Sequence, residues 1–212
     1  CLRMMLCPYS VEHGAGVCRV INGGFEHKMD VAGIATIGEQ ETASVTIGDD
    51  MEGPGRLEVG TLLVNSGSSI RAKEGSQVVT DTLEVKHGGT IHGGEVSARI
   101  RLVNDGILTS GAGFSPFGTT QEPLRVAATE IDLDGVSEVG RVMAFAGDVT
   151  INAPLTDAFH GVAVVSPDQT LTFGNLWEMA GTLELGQATF GGSGSATLAG
   201  AAVAISGTVV AE

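Results

Sequence analysis

Aromatic side chains make up only 4% of this 212-residue sequence, with a single Trp and a single Tyr. A chain so short of rings has no platforms for stacking sugars or bases, and any core must be made of smaller side chains. Basic residues are scarce as well: 11 Lys and Arg face 25 Asp and Glu, a formal net charge of −14. That surface repels phosphate backbones and anionic bilayers, which argues against nucleic acid and membrane surfaces as partners. No apolar run approaches the roughly 18 residues of a membrane span, so membrane insertion is not expected. The opening CLRMMLCPYS lacks the hydrophobic region and cleavage site of a signal peptide. Because it starts at Cys1 and not Met, a processed chain or a fragment is expected.

Cysteine is confined to Cys1, Cys7 and Cys18. In an oxidising compartment a Cys7–Cys18 disulfide would pin an N-terminal cap, and free thiols are the plainer alternative. Cys7, His13, Cys18 and His27 have metal-binding atoms but no C-x-x-C spacing. Neither G-x-S-x-G nor G-x-x-x-x-G-K-[ST] occurs, which leaves no local signature of a hydrolase nucleophile or a phosphate cradle.

Glycine and aliphatics fill the space left by these absences. Hydrophobic residues total 42% and glycines number 32, so the chain can bury a core of Val, Ile, Leu and Ala. Short alternating stretches bounded by Gly, Asn or Asp recur throughout: SVTIG, RLEVG, TLEVK, DVTIN, QTLTFG, GTLELG. Helical spacing is nearly missing. LVNSGSSI (63–70), EVKHGGTI (84–91) and LVNDGIL (102–108) align with start offsets of 84 − 63 = 21 and 102 − 84 = 18. VTINAPLT (149–156) and LTFGNLWEM (171–179) differ by 171 − 149 = 22. Short-strand repeats of this period predict an all-β fold, a right-handed parallel β-helix with about 20 residues per coil. Inward positions should include Leu57, Val59, Leu83, Val85, Leu171, Phe173, Leu183 and Leu185. Residues 1–30 are expected to form a cap or fragment edge. Residues 31–212 are expected to form one solenoid array, interrupted by a loop at 110–123.

Within that frame His87-Gly88-Gly89 and His92-Gly93-Gly94 are expected to be successive corners of one coil, with both histidines exposed, and not a zinc pair. The loop at 110–123, rich in Gly, Ser and Thr, carries Phe114 and Phe117 as candidate contact residues. Glu130, Asp132, Asp134 and Gly135 match the first half of a helix-flanked calcium loop, but Arg141 stands where the bidentate Glu belongs. Three solvent-exposed carboxylates along one strand, far from basic partners, are the expectation, with calcium the one metal they could attract. Asp49, Asp50 and Glu52 offer a second such group. Arg99 and Arg101 are placed on one strand face, where they could hold an anion. No convergent acid pair of the kind hydrolysis needs is apparent, so an enzyme and a cofactor are not expected.

The strings RLVNDGILTSG, DVTINAPLT, QTLTFGNLWEMAGTLELG and ATLAGAAVAISGTV resemble the repeats of large bacterial surface solenoids. Autotransporter passengers and filamentous-haemagglutinin-like domains are the families concerned. The resemblance spans about residues 57–212 and is one of texture, carrying no catalytic residue with it. It implies an extracellular, non-catalytic structural or adhesive segment of a larger surface protein. Its partners would be neighbouring segments, further copies or a glycan. A phage or virion fibre, and a polysaccharide-active enzyme, are the alternatives. The close at GTVVAE has no capping element, which predicts an end covered by another copy or by further protein.

Overall fold

Alternating aliphatics wind into a parallel β-solenoid. The computed structural model describes residues 17–20, 28–38, 42–48, 53–115, 118–135, 138–166, 168–174, 177–178, 181–185, 189–192, 196–197 and 202–205. Every regular element among them is a strand. One sheet of nine strands runs from Val17–Val20 to Ala202–Ile205, and one of eight runs from Lys28–Ile37 to Thr189–Gly192. The chain alternates between them, so each strand pairs in parallel with its counterpart one coil later. Paired positions give the coil lengths: Arg56 with Gln77 is 77 − 56 = 21, and Val149 with Leu171 is 171 − 149 = 22. The shortest such step in the eight-stranded sheet, Gln77 to Glu95, is 95 − 77 = 18.

The longer strands bend in the middle. Arg56–Val64 and Gln77–Val85 alternate between half-buried and buried, then show two outward residues in a row at Gly60-Thr61 and Asp81-Thr82. The alternation resumes in the opposite phase, so both arms of the bent strand turn an aliphatic row inward. Gly94–Asn104 has a longer bulge, with Arg99, Ile100 and Arg101 all exposed.

Register then stacks like on like. Leu57, Val78, Val96, Val126 and Ile151 form one interior row, and Leu62, Leu83, Leu102 and Ile131 a second. Ile70, Ile91, Leu108, Val142 and Ala163 line the opposite wall. All fourteen are buried, and burying each large aliphatic contributes about 1.5–3 kcal/mol. Of the expected inward positions, Leu57, Val59, Leu83, Val85 and Leu171 are buried. The side chains of Phe173, Leu183 and Leu185 lie outside the described set.

Corners repeat too. Asn65–Ser68, Lys73–Ser76 and Lys86–Gly89 are turns closed by backbone bonds of 3.0, 2.8 and 2.7 Å. Their third residues, Gly67, Gly75 and Gly88, have φ of 72°, 75° and 78°, where a Cβ would be strained. His87 is therefore an exposed corner residue, as its spacing predicted.

Two segments add detail to the expected layout. Val17–Val20 pairs with Ser44–Ile47, so parallel stacking reaches into the segment assigned to a cap. The stretch 110–123 is no irregular loop: Gly111–Ser115 and Gly118–Glu122 pair as an antiparallel hairpin. Thr and Gln in 118–122 and Phe in 111–115 suit strands as well as a loop. The closing residues 206–212 lie outside the described ones.

Candidate functional site

The hairpin is the one antiparallel pairing among the described residues, and its base gathers chemistry from three coils. Glu122, its last residue, is 1% exposed. Arg71 reaches Glu122 Oε2 through Nε at 2.9 Å and through a terminal nitrogen at 2.9 Å. Lys73 Nζ stands 3.0 Å from Oε1, an ion-pair contact without hydrogen-bond geometry. Both cations belong to the coil of Ser69–Ala72 and the turn that follows it.

Between them and the hairpin lies the intervening coil, whose strand Thr90–His92 ends at Gly93-Gly94. This corner is small because it must be. A Cβ on Gly93 would meet Glu122 Cβ at 3.1 Å and Ala72 O at 2.8 Å. Gly94 N–H donates to Pro123 O at 2.8 Å, and Gly93 N–H to Thr109 O at 2.9 Å. On the far side Phe145 N–H donates to Ser110 Oγ at 2.9 Å. The hairpin is thus clasped at its root by corners above and below it.

His92 sits in this root and is half-buried, which corrects the expectation of an exposed histidine. Burial, then the neighbouring Arg71 charge, holds its imidazole below the ordinary 6.5, while Glu122 pulls the other way. The carboxylate beside it is Glu122. It stayed hidden because 30 residues separate the two in sequence (122 − 92). One signal could have found it: Glu122 is the first charged residue after Asp105, so it closes the insertion at its only charged position.

The three acids proposed for calcium do not act as a set. Leu124–Asp132 ends at Asp132, and the alternation stops there. Glu130 remains exposed on the strand, but Leu133 and Asp134 are both buried in the corner that follows. Asp132 accepts from Gly135 N–H at 2.7 Å and meets Arg101 at 3.4 Å. Asp134 Oδ2 accepts from His160 N–H. Burial pushes the Asp134 carboxyl above its ordinary 3.8, and the His160 N–H opposes that push. The expectation of three exposed acids without basic partners is therefore wrong for Asp132 and Asp134. Among the described residues no group of three or more His, Cys, Asp or Glu is placed to hold a metal ion.

Other candidates fall outside or disperse. Arg99 and Arg101 do not share an anion: Arg99 binds Glu58 and Asp81, and Arg101 binds Asp132. Phe114 lies on the first hairpin strand, and Phe117, Cys7 and the acids at 49, 50 and 52 are outside the described residues. Cys18 is on Val17–Val20, paired with Val45. Its side chain, like that of Phe114, is outside the description.

Chemically the root is a clamp. Both oxygens of Glu122 face cations, and the other acid buried among the described residues, Asp134, lies beyond the opposite end of Leu124–Asp132. Comparisons with protein-family models, curated proteins and solved structures give no match.

Proposed function

We propose that this chain is a non-catalytic structural or adhesive segment of a larger extracellular or cell-surface protein, built as a β-solenoid. One observation carries the reading. The two acids buried among the described residues, Glu122 and Asp134, flank the strand Leu124–Asp132 on opposite sides, each tied to its own partners. Glycoside hydrolysis needs two carboxyls facing each other across one bond, and lyase chemistry needs a free base beside a cation. The wall charges support the same role, since they pair with one another across coils. Arg56 donates to Gln77 at 2.7 Å, Gln77 to Glu95 at 3.1 Å, and Arg125 lies 3.8 Å from Glu95. Such a ladder suits a stiff wall that presents loops and arms to its surroundings. The texture of the repeats, similar to those of autotransporter passengers and filamentous-haemagglutinin-like domains, adds the surface location.

The test has two parts. Antibodies to the purified chain should label intact source cells without permeabilisation. The purified chain should release no reducing ends and no unsaturated products from a panel of neutral and anionic polysaccharides. Labelling only after permeabilisation would remove the surface location, and turnover on any polysaccharide would replace the scaffold with an enzyme.

A further inference from the structure

The hairpin is held firmly at its root, yet no strand among the described residues pairs with either of its outer edges. Gly111–Ser115 and Gly118–Glu122 form a sheet of two strands on their own, in antiparallel register from Gly111 with Glu122 to Ser115 with Gly118. An unpaired edge offers a row of N–H and C=O groups to any strand that approaches, and proteins ordinarily guard such edges with charge or proline. Neither guard is present. Residues 106–121 carry no charged side chain, and the one proline among them, Pro116, falls outside both strands, Gly111–Ser115 and Gly118–Glu122. Beside the root Phe145 is 63% exposed, where an apolar ring of that size normally seeks cover.

Charge decides which occupant fits. Each copy of the chain carries −14, so copies repel over most of their surface. Residues 106–121 are an uncharged stretch in this acidic chain. Two such stretches can meet without opposing like charges, and an antiparallel edge-to-edge contact is self-complementary under a two-fold axis. A strongly basic or acidic partner would find no charged side chain over 111–121 to pair with.

We propose that the hairpin at 111–122 is a self-association arm, and that a second copy of this chain pairs with it edge to edge to make a four-stranded antiparallel sheet. The clamp of Arg71, Lys73 and Glu122 fixes the arm in orientation before contact, which lowers the entropy lost on pairing. Strands of five residues cover far less than the roughly 1,200–2,000 Å² of stable interfaces, so the dimer is weak and concentration-dependent. This inference does not rest on a surface location.

Sedimentation velocity over a wide range of protein concentration tests it. The wild-type chain is expected to shift from monomer to dimer as concentration rises. Two double variants, Thr119→Lys with Gln121→Lys and Thr119→Glu with Gln121→Glu, should both remain monomeric, with circular dichroism and melting temperature unchanged. A further variant with residues 112–121 replaced by Gly-Gly should also remain monomeric and keep its β-sheet signal. A wild-type chain that stays monomeric throughout overturns the proposal. So does a dimer that survives in the Lys pair or in the excised variant. If only the Glu pair dissociates, the cause is general repulsion and the arm is not the contact.

Discussion

Glu122 and Arg71 are 51 positions apart in the chain, yet the carboxylate of one lies 2.9 Å from the guanidinium of the other. Two coils of the solenoid are bridged by that contact, across a corner reduced to Gly93-Gly94 to let it through. It explains why an insertion in a regular stack need not dangle. The hairpin follows from the antiparallel strands, and this buried acid adds a charged attachment to the backbone bonds at Gly93-Gly94.

Removing that acid should therefore loosen the arm before it harms the stack. Replacing Glu122 with Ala leaves Arg71 and Lys73 facing each other, though both are exposed enough to regain some water (33% and 15%). The expected cost is about 1–3 kcal/mol, below that of breaking a fully buried pair. Hydrogen exchange should quicken at 111–122 while the interior row of Leu62, Leu83 and Leu102 stays protected. Unchanged exchange at the hairpin would show that the clamp does not hold it.

His92 gives this root a pH dependence of known sign. Its folded-state value is depressed by burial and by Arg71, so as pH falls the unfolded chain takes up the proton first. The stability it supports is full above the unfolded value near 6.5 and is lost as pH drops through 6.5 toward the folded value. Replacing His92 with Asn should flatten the melting-temperature profile in that window. An equally steep profile in the variant would place the dependence on another group.

Much of this architecture could be read from the residues, and the misreadings have a single origin. VTINAPLT and LTFGNLWEM were offset by 22, and Val149 does pair with Leu171. EVKHGGTI against LVNSGSSI also gives the observed pairing of Val85 with Val64. LVNDGIL slips by one: the repeat alignment sets Asn104 on Asn65, but Asn104 pairs with Val85, so Asn104 occupies the inward position. A one-residue slip exchanges inside and outside. Asn104 is buried, and its amide donates to Leu133 O at 2.9 Å across the next corner. The same limit hides Asp134, because the strand ends at Asp132 while the sequence alternation runs on past it. Contacts such as Glu122 with His92 depend on coil geometry, which strand pattern alone does not encode.

Asp134 should show the opposite behaviour to a salt-bridged carboxylate. Its value is raised by burial, so the folded state binds the proton more readily than the unfolded one. Stability from this group is full below its unfolded value and is lost as pH rises through the folded value. Asn keeps an oxygen to accept the His160 N–H and carries no charge. Asp134→Asn should therefore raise the melting temperature at neutral pH and leave it nearly unchanged in acid. A lower melting temperature at neutral pH would mean that the ionised carboxylate is needed where it stands.

The tightest constraint is a column of small residues entering the nine-stranded sheet. Ala43, Ser68, Gly89, Gly106, Gly140 and Gly161 each present a carbonyl oxygen to the N–H of the following coil, at 2.8–3.0 Å. None of these four glycines has a positive φ, so conformational freedom is not the reason for them. Closeness is: a Cβ on Gly161 would run into the carbonyl oxygen of Gly140, and one on Gly106 into that of Gly89. Those oxygens are committed to Val162 N–H and Ile107 N–H, so they cannot retreat without breaking the stack. Gly161→Ala should destabilise the chain by about 1–3 kcal/mol through overpacking. Ala43→Gly, in the same column where a methyl already fits, should cost less than about 1 kcal/mol. Chemical denaturation of both variants separates the cases. Equal costs, or a harmless Gly161→Ala, would show that the coils can part at this corner and that the column does not set their spacing.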